Sequence, residues 1–308
     1  MVEFPHWVVP RGGINLKEMT AAQQTAVMAL LAIVLSPQGL EKVNEIREAD
    51  EAFKVGGARN GPRGGRGGGN GPPRGGLPPQ GGRPGQPPSN PDMMFGSDLY
   101  YISFLGQPST ATPWMLQFGG HHLALNITIA GRAGVLTPTL TGAQPATFDA
   151  KGRTIRPLGH ENDKAVALLE SLSEDERQRA VLSYRVADLV LGPGQDGKTI
   201  LPEGLKAATM NDHQRALLID LIAEWAGIIN ETVAKPRMAQ LTADLNETYF
   251  AWSGPTTVTT GTNITAYYRI QGPHLVIEFA PQNDDPGDHV HTMYRDPTND
   301  YGRAFTLK

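Results

Sequence analysis

Four of the eight histidines stand in two tight groups. His121 and His122 follow Gly119-Gly120, and His289 and His291 form a His-x-His pair. On a strand, residues two apart point to the same face, so His289 and His291 project together. That is a simple way to offer two imidazoles to one cation. The segment Leu275–Ala280 (LVIEFA) precedes the pair, and PQNDDPGD separates them. With 281–288 as the hairpin loop, Ala280 lies opposite His289 and Glu278 opposite His291. Opposed residues have Cβ atoms about 4.5–5.5 Å apart, so Glu278 is expected beside the imidazoles. An acid inside an apolar strand needs a partner, because burying an unpaired charge is costly.

A third imidazole must come from the Gly-Gly-His-His group. Neighbours on a strand face opposite ways, so only one of His121 and His122 is expected to face the site. His122 shares parity with polar Asn126 and Thr128, which favours it. The two glycines can bend the chain, which leaves the choice open. The chain has no cysteine, so thiolate sites are excluded. A divalent ion on His121 or His122, Glu278, His289 and His291 is the expected cofactor, zinc first, with manganese, iron, nickel or copper as alternatives. His160, next to Glu161, is a candidate extra ligand. Arg295 continues the histidine face, as a clamp for a carboxylate or phosphate or in an ion pair with Glu278 or Asp296. Asp300, in the following turn, reads either as a turn residue or as a carboxylate that orients a histidine.

Which elements must position these residues? Residues 99–148 and 248–295 read as β, with clean alternation at Leu123, Leu125, Ile127 and Ile129. Thr20…Gln23, Ser173…Glu176 and Asn211…Gln214 are capping-box patterns that open helices. The first helix is expected through about Leu35 and a second, from Ser36-Pro37, through about Phe53. Apolar-periodic runs follow the other two boxes, so helices are expected over most of 161–240. The fold class is α+β: a mostly antiparallel sheet packed with helices, in one domain spanning 1–308.

One segment departs from this pattern. In residues 56–91, Gly and Pro fill 23 of 36 positions and five arginines stand with no acid. It cannot bury enough apolar surface to offset its chain entropy and reads as a flexible, solvated insertion. An RGG-like nucleic-acid arm would interleave aromatic residues, and none is present. The net charge of -4 also argues against broad phosphate neutralisation, so no nucleic-acid partner is expected. The longest apolar run, Val27 to Leu35, is half of what a membrane span needs. No basic, apolar leader pattern opens the chain, although removal of a leader would leave the same picture.

The segments WMLQFGGHHLALNITI, TPTLTGAQPATF, YYRIQGPHLVIEF and DHVHTMYRDPTNDYG resemble the bacterial family called domain of unknown function 3500. LKEMTAAQQTAVMALLAIVLSPQGLEKV and YYISFLGQPS are similar to it as well. The resemblance covers nearly the whole chain outside 56–91. It implies one domain and slightly favours an exported protein, and it implies no activity. The residues themselves point first to a metal-dependent hydrolase of an unidentified small or polymeric substrate. A metal-dependent oxidoreductase is the second reading, and a non-enzymatic metal- or anion-binding protein the third.

Overall fold

The computed structural model describes residues 12–59, 95–259 and 261–306. Nearly all of the Gly/Pro/Arg-rich insertion read at 56–91 therefore lies outside the described residues. The described residues build thirteen strands: β1 (Ile14–Asn15), β2 (Tyr101–Leu105), β3 (Trp114–Gly119), β4 (Leu123–Ala130), β5 (Ala133–Val135), β6 (Thr139–Ala143), β7 (Phe148–Ala150), β8 (Arg153–Ile155), β9 (Leu205–Lys206), β10 (Tyr249–Ser253), β11 (Tyr267–Gly272), β12 (Leu275–Pro281) and β13 (Val290–Arg295). Their α-helices are α1 (Ala21–Val34), α2 (Pro37–Arg59), α3 (Gly159–Ser171), α4 (Glu174–Ala180), α5 (Asp212–Ala226) and α6 (Glu231–Ala243). The three capping boxes read from the sequence close at α1, α4 and α5.

Eleven strands form one antiparallel sheet in the order β1-β2-β3-β4-β6-β13-β12-β11-β10-β9, with β5 on β4. The two β regions of the sequence are thus halves of a single sheet, joined where β6 pairs with β13. This is an α+β domain. Among the described residues, no helix is long and apolar enough to cross a membrane.

The two faces of the sheet are chemically opposite, as strand alternation allows. On one face, Phe250, Trp252, Tyr268, Ile270, Ile277, Phe279 and Tyr294 pack in one core with Leu168, Leu221 and Trp225 of the helices. Leu123, Leu125 and Ile127 continue that face against Leu31, Val43 and Ile46. The other parity of the same strands places Ser253, Tyr267, Arg269, Gln271, Glu278, His291 and Arg295 on the opposite face. These polar residues are nevertheless buried.

What covers them is an irregular strap, residues 182–204. The apolar-periodic run after Ser173…Glu176 predicts helix as far as Leu191, but α4 stops at Ala180. The reason lies in the polar side chains beneath. Ser253 Oγ accepts from Val186 N at 2.9 Å and donates to the Tyr184 carbonyl at 2.7 Å. Glu278 accepts from Val190 N and Leu191 N. Arg295 Nη1 donates to the Leu191 carbonyl at 3.0 Å, and Gln271 Nε2 to that of Ile200. The strap's backbone finds its partners in the sheet rather than in a helix of its own.

Candidate metal centre

His122 immediately precedes β4, and His291 lies on β13, with β6 between them. Gly142 of β6 is registered with His291, and Leu123 pairs with Thr141, so His122, Gly142 and His291 share one rung. A Cβ on Gly142 would stand 2.9 Å from His291 Cδ2 and 3.1 Å from His122 Cδ2. Glycine is what lets the two rings meet across the middle strand. Gly120 has a similar role: a Cβ there would sit 2.6 Å from the Tyr100 ring. The Gly-Gly-His-His group therefore encodes close packing as well as imidazoles.

His289 completes the group from the loop before β13. Its Nε2 lies 3.3 Å from Nε2 of His122 and 3.1 Å from Nε2 of His291. Ligand nitrogens at about 2.0–2.1 Å from a tetrahedral zinc ion stand about 3.3 Å apart. Ligand atoms of His122, His289 and His291 all fall within 4.8 Å of one another, so the three residues can hold a metal ion.

Two carboxylates set the rings. His122 Nδ1 lies 2.6 Å from Asp50 Oδ1, and the Tyr100 hydroxyl donates to Asp50 Oδ2 at 2.6 Å. His289 Nδ1 lies 2.9 Å from Asp284 Oδ1. An imidazole that donates through Nδ1 presents its Nε2 lone pair, and a carboxylate partner makes that nitrogen a better ligand. Burial opposes ionisation of Asp284, but its hydrogen bond and charge interaction with His289 win and lower its pKa. His291 is held well below the ordinary histidine pKa, first by burial, then by the neighbouring imidazoles. It is neutral, as a ligand must be. Phe95 adds an apolar cover, with ring centroids 4.2 Å from His121 and 5.8 Å from His122.

The other residues read from the sequence fall as follows. His121 sits with its ring 4.5 Å from that of His122, on the wall of an adjoining cavity rather than in the three-histidine group. Glu278 is not brought to the imidazoles. The hairpin register is Ala280 with His291 and Glu278 with Met293, a two-residue displacement from the expected pairing that keeps the face and moves the contact. The eight-residue loop is 282–289, not 281–288: Pro281 still pairs in β12, and His289 belongs to the turn, where its N–H donates to the Asp285 carbonyl. Glu278 instead accepts from Val190 N at 2.8 Å, Leu191 N at 2.7 Å and the Tyr267 hydroxyl at 2.5 Å. Arg295 is fully buried and donates through Nε and Nη2 to Asp300, not to Glu278 or Asp296. His160 is exposed, 3.8 Å from Glu224 and outside the three-histidine group.

Asp50 was not among the residues read as functional. A signal existed: it continues the buried stripe Val43, Ile46 of α2, an acid where the pattern asks for an apolar residue. Replacing it with asparagine keeps the shape and removes the charge. Asp50→Asn is expected to weaken metal binding about tenfold to a hundredfold, read by competition with a chromophoric chelator. An unchanged affinity would mean that the carboxylate serves packing alone.

A cavity of about 260 Å³ opens beside the centre, between the polar face of the sheet and the strap. His121 and His291 line it together with Asn126, Leu140 and Met293 of the sheet; residues 188–190 and 192–196 and Tyr301 complete the wall. Arg295 and Asp300 are absent from its lining.

Fold and site together define an α+β domain carrying a three-imidazole cluster beside a ligand-sized cavity. The chain belongs to the family described as "Protein of unknown function (DUF3500)", whose model matches residues 2–303. No curated protein and no solved structure matches it.

Proposed function

We propose that the chain is a metal-dependent enzyme whose ion is held by His122, His289 and His291, with zinc the first candidate and hydrolysis the first candidate reaction. One observation carries this reading. His289 Nε2 approaches two other imidazole nitrogens at once. A ring nitrogen has either one proton or one lone pair, so it cannot form two separate full hydrogen bonds to them. A cation among the three nitrogens accepts all the lone pairs and removes the conflict.

Three protein ligands with a cavity alongside is the pattern of a catalytic ion, whereas structural ions are enclosed by four. Bound there, zinc would supply a hydroxide near neutral pH and polarise a carbonyl or phosphoryl oxygen. This chain's own contribution is to aim the imidazoles through Asp50 and Asp284, to keep water out with Phe95, and to place His121 on the cavity wall, in reach of a proton on a bound molecule. With Glu278 holding the strap, the ligand set is imidazole alone. That suits zinc and offers no carboxylate to a harder ion such as manganese.

Elemental analysis of protein purified without a histidine tag tests this. One equivalent of zinc is expected, with ester or phosphoester hydrolysis lost on chelation and restored by zinc. Stoichiometric iron, manganese or copper would move the assignment to redox chemistry. No bound metal, and no uptake on titration, would overturn it.

A further inference from the structure

The cavity beside the histidines has a distinct charge pattern. Among the described residues, no lysine or arginine lines it. The guanidinium of Arg295, behind the wall, is completely buried, with Nε and Nη2 on Asp300 and Nη1 on the Leu191 carbonyl. Its remaining reach toward the cavity is a 3.5 Å contact with Asp196, itself part of the wall. Arg295 thus divides one positive charge between two carboxylates, Asp300 and Asp196, and the other group that hydrogen-bonds Asp196 is the neutral Tyr301 hydroxyl. Asp188, also in the wall, accepts from Leu189 N at 2.7 Å and Gln282 Nε2 at 3.0 Å, both neutral donors. Both wall carboxylates are exposed.

We infer that this cavity takes a ligand that presents hydrogen-bond donors, hydroxyls or an ammonium group, and rejects anions. Carboxylates are acceptors only, so Asp188 and Asp196 read donors on the ligand. They repel a carboxylate or phosphate brought against that wall. The same wall carries Tyr301, a residue 40% exposed. Its backbone sits at φ 59°, fixed by Tyr301 N on the Thr137 carbonyl and by Thr128 Oγ1 on its own carbonyl. An aromatic face held beside two acceptors suits a sugar ring or the methylenes of an amine. The volume, just under the range of about 300–1,000 Å³ for small-molecule sites, suits one ring or a short chain. The inference rests on the proposed centre only for the direction in which the ligand points, not for its charge.

Three probes on one scaffold separate the possibilities: glucosamine, glucose and glucuronate. Binding to the full chain is read by saturation-transfer NMR, with and without added zinc, and metal content is measured separately. Glucosamine, glucose or both are expected to bind at least about tenfold more tightly than glucuronate, a margin of one decade in Kd. Glucosamine ahead of glucose identifies an ammonium reader, and equal binding a hydroxyl reader. In the double variant Asp188→Asn, Asp196→Asn the margin over glucuronate should collapse. Glucuronate as the tightest probe, an unchanged margin in the double variant, or no binding by any of the three would overturn the inference. If the preference holds while no metal is taken up, the proposed centre fails and the ligand class stands.

Discussion

His291→Ala is expected to abolish metal uptake and leave the fold intact. His291 is the candidate ligand fixed by the sheet: it stands on β13, on the rung of His122 with β6 between them, and its Nε2 lies 3.1 Å from that of His289. Its Nε2 needs no deprotonation to bind a cation, because burial and three neighbouring imidazoles already hold it neutral. Removing it leaves two imidazoles, one of them in a loop, and opens half of the coordination sphere to water. The loss of affinity should exceed the tenfold to hundredfold cost of removing an outer hydrogen-bond partner. Stability should change little for the metal-free protein, since the strand's backbone bonds to β6 and β12 do not depend on the side chain. Metal titration followed calorimetrically, with circular dichroism as the fold control, reads both quantities. Retained stoichiometric binding would place the ion away from these histidines.

Much of this site is legible in the residues because strand parity is a strict rule. The polar parity of Asn126 favoured His122 over His121, whereas His289 reaches His291 from the turn before β13 rather than as a strand neighbour. The capping boxes were equally readable, since each is a local exchange between a side chain and a backbone three residues away. Long-range placement was not readable in the same way. Glu278 had the right face but the wrong rung, because Pro281 pairs in the strand and His289 joins the turn, a choice that loop length alone does not decide. Asp50 meets His122 across 72 residues of sequence: its place on the buried stripe of α2 marks it as an acid that needs a partner, but nothing local says that the partner is His122. The strap was misread as helix for a related reason. Its apolar residues have helical spacing, but the groups that satisfy its backbone are Ser253, Gln271, Glu278 and Arg295, all supplied by the distant second β region.

That account of the strap gives Glu278 a role with a measurable consequence. Its side chain is wholly buried, and three donors converge on it: two strap amides and the Tyr267 hydroxyl. Burial raises its pKa, while the Tyr267 hydroxyl, the two amides and nearby Arg269 pull it back down. Glu278→Ala removes the acceptor from all three donors at once and leaves a void. Each buried donor left without a partner costs about 1–3 kcal/mol, so a total loss of about 3 kcal/mol or more is expected, seen as a fall in Tm and in the denaturant midpoint. The strap should also loosen selectively. Amides of Val190 and Leu191 should exchange faster than those of β12, because their bonds are the ones removed. The wall of the cavity would be disturbed, so ligand binding should suffer. Metal uptake should survive, since His122 and His289 are aimed by Asp50 and Asp284, His291 is held on β13, and Glu278 is outside the three-histidine group. This combination, a large stability loss with the metal retained, separates a backbone anchor from a metal ligand. An ordinary Tm with metal binding abolished would reverse the assignment and return Glu278 to the coordination sphere.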